Sequence, residues 1–199
     1  HKIYNGINIK NIRINKFRKE KTFVVVGRLE EEKCCEQIIN IFSKIPENFN
    51  AKLIFLGDGS QQKYLESLTD KLNQTHRIIF KGASDNVKKY LTNSDFYLSA
   101  SVSEGMSNSL LEAMALGIPA LVSNVSGIEE IIIDNKNGFI FEPLDEKGLY
   151  EKLINAINCS EKDYIKLSRL ASEHILQNFS INKISDKHIK LYNNLLKNN

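Results

Sequence analysis

The chain has 199 residues, 42% of them hydrophobic and 26% charged, the profile of a folded globular protein and not of a disordered or fibrous one. A formal net charge of +3, with basic and acidic residues interleaved, gives no electrostatic case for a nucleic-acid partner. Three cysteines, Cys34 and Cys35 adjacent, argue against a disulfide framework and for a reducing, cytoplasmic compartment, and no apolar run reaches the roughly 18 residues that a transmembrane helix needs.

In chain order, the opening from His1 is polar, irregular and lacks Met, as expected of a piece cut at a linker, with a removed tag or processed terminus as the alternative. From Phe23 on, short apolar runs alternate with segments of helical period. Strands are expected at Phe23–Gly27, Lys52–Gly57, Arg77–Lys81, Asp95–Ala100, Pro119–Ser123 and Gly138–Phe141. Helices are expected between them at Lys33–Ile45, Ser60–Gln74, Asn86–Asn93, Ser107–Leu116 and Gly127–Ile133. Most of the strand runs are continuously apolar, which suits a parallel sheet covered on both faces. After Pro143 only helical stretches follow, at Asp145–Asn158, Glu161–Asn178 and Asn182–Lys197. The last carries Ile184, His188, Leu191, Tyr192, Leu195 and Leu196 as one stripe, which must pack on this domain or on another. The expected fold is α/β: a doubly wound, parallel, six-stranded Rossmann-like sheet over residues 22–178 with extra C-terminal helices. Residues 1–21 read as a linker segment and 179–199 as a separate terminal helix.

A ligand site in such a sheet lies beyond the carboxyl ends of the strands. The Ser101–Ser109 loop there places Ser101, Ser103, Glu104, Gly105, Met106, Ser107, Asn108 and Ser109 ahead of an apolar helix that Gly117 and Pro119 end. Small polar residues at a helix start leave backbone N–H groups exposed and suit a phosphate or diphosphate, while flanking Glu104 and Glu112 would bind the hydroxyls of a ribose or sugar. Two plainer readings compete: Ser109-Leu110-Leu111-Glu112 is also a capping box, and Glu104 is also an ordinary solvated loop residue. Arg28 and Lys33, in the loop after the first strand, would complete neutralisation of a diphosphate, or else are solvated bases around the acidic Glu30-Glu31-Glu32.

Other chemistries find no anchor. His1, His76, His174 and His188 have no metal-ligand spacing, and there is no Gly-x-x-x-x-Gly-Lys-Ser/Thr loop, no Gly-x-Gly-x-x-Gly turn and no Gly-x-Ser-x-Gly elbow.

The run Glu104-Gly105-Met106-Ser107-Asn108-Ser109-Leu110-Leu111-Glu112-Ala113-Met114-Ala115-Leu116-Gly117-Ile118-Pro119, with seven residues between its two glutamates, resembles the signature of the retaining glycosyltransferases of family 4 (group 1), which have the GT-B fold. Gly27-Arg28-Leu29 with Lys33 is similar to that family's phosphate loop, and Gly127-Ile128-Glu129-Glu130 with Asn137-Gly138-Phe139 to the stretch after the signature. Tyr4-Asn5-Gly6-Ile7-Asn8 is similar to the segment leading into the family's C-terminal domain, with Asn8 for the usual Asp. Cys34 for Gly, and Ser126-Gly127 for Gly-Gly, are departures.

The resemblance covers nearly the whole chain but only the second, donor-binding domain of such an enzyme. It implies that Arg28, Lys33 and the backbone of Asn108 and Ser109 hold a diphosphate. It also implies that Glu104 is the catalytic-site carboxylate and, with Gly105, Met106 and Ser107, faces the donor sugar. Glu112 would hold the ribose, and Lys81, Gly82 and Ser84 lie in the loop expected beside the base. It further implies a UDP- or GDP-linked sugar donor with no metal or other cofactor, and a glycan or lipid-linked acceptor bound through an N-terminal domain to which the last helix crosses. Transfer would be with retention, and this piece would be inactive by itself. Richness in Lys, Asn and Ile points to an AT-rich bacterial genome and surface-polysaccharide synthesis, with peripheral membrane association of the whole enzyme left open. A non-catalytic nucleotide-sugar-binding module and a related nucleotide-sugar epimerase remain as alternatives.

Overall fold

The computed structural model describes residues 4–197; residues 1–3 of the expected linker and 198–199 of the expected terminal segment lie outside them. Six strands, β1 (Lys21–Val26), β2 (Ala51–Leu56), β3 (Ile78–Phe80), β4 (Phe96–Ser99), β5 (Ala120–Ser123) and β6 (Gly138–Phe141), form one sheet in the order β3-β2-β1-β4-β5-β6. Every pairing is parallel. The order doubles back between β1 and β4, so the first βα loop and the fourth splay apart at a topological switch point.

Side chains alternate across the strands and feed two cores. Phe23, Val25, Phe96, Leu98, Leu121, Phe139 and Phe141 face one side, under α1 (Cys35–Ser43), α2 (Gln62–Lys71) and α5 (Glu146–Ile157). Val24, Tyr97, Ala120 and Val122 face the other, under α3 (Val87–Thr92) and α4 (Asn108–Ala115). The eighteen-residue α6 (Glu161–Asn178) reaches both, with Tyr164 and Leu167 in the first core and Ala171 and Ile175 in the second. Phe23 and Phe96, register partners on β1 and β4, stack with ring centroids 5.4 Å apart and close the core beneath the switch point.

Two expected helices differ. The first starts at Cys35, because Glu31–Lys33 forms a separate 3-10 turn and Cys34 takes a left-handed conformation (φ 50°) between them. The stretch expected as helix over Gly127–Ile133 is a single 3-10 turn, Ile128–Glu130. There the Asn137 side chain accepts from Ile133 N and donates to Ile131 O, bonds that compete with helix continuation.

The incoming segment is fastened along the domain. Arg13 N and Asn15 N donate to Ser172 Oγ and Ser168 Oγ of α6, and Asn15 Nδ2 donates to Ser94 O and Tyr164 OH. At the other end of the chain, α7 (Ile181–Lys197) buries Ile184 but leaves Ile189, Tyr192, Leu195 and Leu196 more than half exposed. Among the described residues no helix is long and apolar enough to cross a membrane.

Candidate functional site

The loops after β1 and β4 meet above the switch point, and their positions are fixed by backbone contacts. Leu29 N donates to Asp58 O at 2.7 Å and Gln61 N to Leu29 O at 3.0 Å, so the β1 loop is laced to the β2 loop. Gly57 is needed where it stands: at φ +145° a Cβ would lie 1.9 Å from Gly27 O. Across the crevice Val102 N donates to Glu32 O at 3.0 Å and joins the β1 loop to the β4 loop.

Helix α4 rises from the second loop with Ser107 as its N-cap, whose hydroxyl accepts from Leu110 N at 3.3 Å. This corrects the capping-box reading. With Ser107 as the cap, the third helical residue is Leu110, and Glu112 lies beyond the first-turn donors. Ser109 Oγ turns inward instead, donating to Val26 O at 3.3 Å and meeting Tyr97 OH at 3.0 Å. The Tyr97 phenol is fully enclosed; burial pushes its pKa up and the two serine hydroxyls partly offset this, so it stays a neutral strut holding α4 against the sheet. The N–H groups of Asn108 and Ser109 belong to the first turn and have no intrahelical acceptor.

Arg28, Lys33, Glu104, Met106, Ser107, Asn108 and Ser109 line one cleft of about 330 Å³, with Tyr97 and Ser99 beneath. Lys33 Nζ lies 2.5 Å from Glu104 Oε2, and the two side chains are only 20% and 21% exposed, so neither is a solvated loop charge. Ser101 Oγ also donates to Glu104 Oε2 at 3.3 Å. Arg28 differs: its side chain is 74% exposed and reaches Glu32 at 3.6 Å. Gly105, between two lining residues, is itself exposed and not part of the lining, and a Cβ there would meet nothing within 4 Å.

The remaining expected residues lie elsewhere. Glu112 is exposed and lines a second hollow of about 460 Å³ with Asp85, Lys88 and the Ile7-Asn8 segment, and no described hydrogen bond or ion pair uses its carboxylate. Lys81, Gly82 and Ser84 do not line the cleft; Gly82 O accepts from Gly57 N at 2.8 Å, and Ser84 Oγ accepts from Asn86 N at 3.1 Å. Among the described residues no three His, Cys, Asp or Glu side chains are grouped to hold a metal ion. Tyr97 and Ser99 were not singled out from the sequence, although a phenol in an otherwise apolar strand, followed by three serines in the next six residues, was a visible signal.

Residues 8–172 match the family of glycosyl transferases, group 1. The chain belongs to that family. It is 38% identical over 157 residues to an uncharacterised glycosyltransferase of Methanocaldococcus jannaschii, covering 71% of this chain and 40% of that protein. To the N-acetyl-alpha-D-glucosaminyl L-malate synthase of Bacillus anthracis it is 29% identical over 178 residues, 89% of this chain and 46% of the other. The group 1 chain thus spans less than half the length of these relatives. Its fold superimposes with a TM-score of 0.88, at 24% identity, on a variant of Staphylococcus aureus TarM in complex with Fondaparinux, alpha-GlcNAc-glycerol and UDP, over 97% of this chain and 39% of that one. The α/β, Rossmann-like architecture is that of GT-B glycosyltransferase structures.

Proposed function

We propose that this group 1 domain is the donor-binding half of a retaining family 4 glycosyltransferase, which moves a sugar from a nucleoside diphosphate, UDP- or GDP-linked, to a glycan or lipid-linked acceptor held by an N-terminal domain. The observation that carries the reading is the site at the switch point: two cationic side chains and the free N–H groups of α4 converge on one cleft that a carboxylate also lines. Departure of the nucleoside diphosphate places negative charge on its β-phosphate. Arg28, Lys33 and the α4 N-terminus line the cleft where that charge develops and would take the place of a divalent cation.

When the diphosphate enters, Lys33 exchanges its partner Glu104 for a phosphate oxygen, and Glu104 is released toward the sugar hydroxyls beside Gly105, Met106 and Ser107. Glu112, its carboxylate not spent on capping, holds the ribose, and the base lies by Lys81, Gly82 and Ser84. The whole enzyme works on the cytoplasmic side, in polysaccharide synthesis of a bacterium, and the domain alone binds its nucleotide without transferring sugar, because acceptor positioning is missing.

The test is a pair of isosteric changes in the whole enzyme. Glu112→Gln is expected to weaken nucleoside diphosphate binding by roughly 1.5–3 kcal/mol, the range for a hydrogen bond to a charged group. Glu104→Gln is expected to depress turnover without weakening that affinity, because it removes the carboxylate that competes with phosphate for Lys33. Equal affinity of wild type and Glu112→Gln for UDP, GDP and ADP would remove the ribose assignment. Full turnover in Glu104→Gln would remove Glu104 from the reaction. Sugar transfer by the 199-residue chain alone would overturn the division of labour.

A further inference from the structure

The segment that leads into the domain touches the α4 N-terminus directly. Asn5 N donates to Met106 Sδ at 3.3 Å, and Asn5 Nδ2 donates to Asn108 Oδ1 at 2.9 Å. Met106 and Asn108 both line the switch-point cleft. Neither contact follows from packing of the core, since Asn5 is exposed and its partners are 101 and 103 residues away in sequence.

The segment is itself held. Tyr4 OH bonds to Glu130 Oε1, and the Tyr4 ring meets Phe179 edge-on at 5.8 Å between centroids. Ile7 N donates to Phe179 O at 2.8 Å and Ile181 N to Ile7 O at 2.9 Å, so residues 4–7 are stitched to the junction of α6 and α7. Gly6 is required at that crossing, because a Cβ would come within 2.9 Å of Ile181 Cα. Asn5 therefore meets two residues of the cleft wall from a segment anchored on both sides.

The chemistry of the contact is directional. A primary amide has one acceptor end and one donor end. By donating to Oδ1, Asn5 occupies the acceptor end of Asn108 and leaves its Nδ2 as the unengaged end, the one an anion needs. We infer that Asn5 is a positioning residue for diphosphate binding: it sets the Asn108 amide, and through Met106 the loop before α4, so that donors and not acceptors are presented to the ligand. The inference rests on the reading of α4 as the diphosphate site and adds to it a residue from outside the β1 and β4 loops.

A double-mutant cycle on the 199-residue chain tests this, with calorimetric titration of UDP, GDP and ADP into wild type, Asn5→Ala, Asn108→Ala and the double variant. Asn5→Ala is expected to weaken the preferred nucleoside diphosphate about tenfold with the thermal midpoint little changed, since an exposed side chain contributes little to folding. In the Asn108→Ala background the same change is expected to have almost no effect, because the group it orients is gone. Amide hydrogen exchange of residues 105–110 is expected to quicken in Asn5→Ala, a readout that does not depend on ligand. Additive losses, or unchanged affinity together with unchanged exchange, would overturn the positioning role. Failure of the underlying reading looks different: wild type would then bind none of the three nucleotides, and the proposal would fall with it.

Discussion

The two ends of the sheet use their charged groups in opposite ways. At the amino end, Asp95 is fully buried and accepts from Thr22 N at 2.8 Å and Arg18 Nη1 at 3.0 Å. Lys21 beside it is 1% exposed, donates to Arg18 O and sits over the Phe17 ring at 3.6 Å. Burial pushes the Asp95 carboxyl above and the Lys21 ammonium below their usual ranges, more than their neighbours restore, so desolvation outweighs attraction there. At the carboxyl end, Lys33 and Glu104 are a fifth exposed, Arg28 is mostly exposed, and the first N–H groups of α4 have no intrahelical acceptor. One end spends its charges on closing the fold. The other keeps them available, which is what a binding site requires.

The sharpest way to break that contrast is Asp95→Ala, which would leave Thr22 N and the Arg18 guanidinium without their acceptor. Removing one partner from a buried charged cluster typically costs about 3–5 kcal/mol, and urea unfolding is expected to show a loss of that size. A loss under about 1 kcal/mol would mean the amino end is as solvated as the carboxyl end.

A smaller effect comes from Cys35, at the start of α1. Its thiol is 3% exposed, and burial pushes its pKa up to about 12 from an ordinary value near 9. Between those values the folded state holds a proton that the unfolded chain has released, so stability falls as pH rises, by about 1.4 kcal/mol per pH unit. Below pH 9 this contribution is constant. Urea unfolding of wild type and Cys35→Ala under reducing conditions at pH 8, 9, 10 and 10.5 isolates it: the difference between the two is expected to be flat to pH 9 and then to shift in favour of the variant. Parallel curves throughout would show the thiol to be accessible.

The smallest effect concerns the α4 cap. Ser107→Ala removes the acceptor for Leu110 N and a neighbour of the Tyr97 and Ser109 hydroxyls, and is expected to cost about 1 kcal/mol in thermal or urea unfolding. No change would reinstate Ser109 as the cap and, with it, Glu112 as part of a capping box.

Much of this was legible in the sequence for a physical reason. Parallel strands buried on both faces are rich in apolar residues, and the six expected runs became the six strands, with β1 beginning two residues early at Lys21. Helices with both a polar cap and an ordered stripe, such as Glu161–Asn178, fell on their expected limits. What sequence could not show were side chains that compete with local propensity through distant partners: Asn137 cutting short the turn at Ile128–Glu130, and Ser109 engaging Val26 and Tyr97 in place of its own helix. In the site, the glycine-bearing loops and the glutamate pair stood out by composition. The pairing of Lys33 with Glu104, the separation of Glu112 into another hollow and the bond from Asn5 to Asn108 depend on how loops distant in sequence are brought together.

The central claim is that the cleft between the β1 and β4 loops is a diphosphate site. Calorimetric titration of UDP, GDP and ADP into the wild-type chain, Arg28→Ala and Lys33→Ala tests it most directly. One nucleotide is expected to bind wild type at a single site, and each variant to bind it at least about tenfold more weakly, with Arg28→Ala changing stability by no more than about 1 kcal/mol. No binding of any nucleotide by wild type, or affinities unaltered in both variants, would contradict the account.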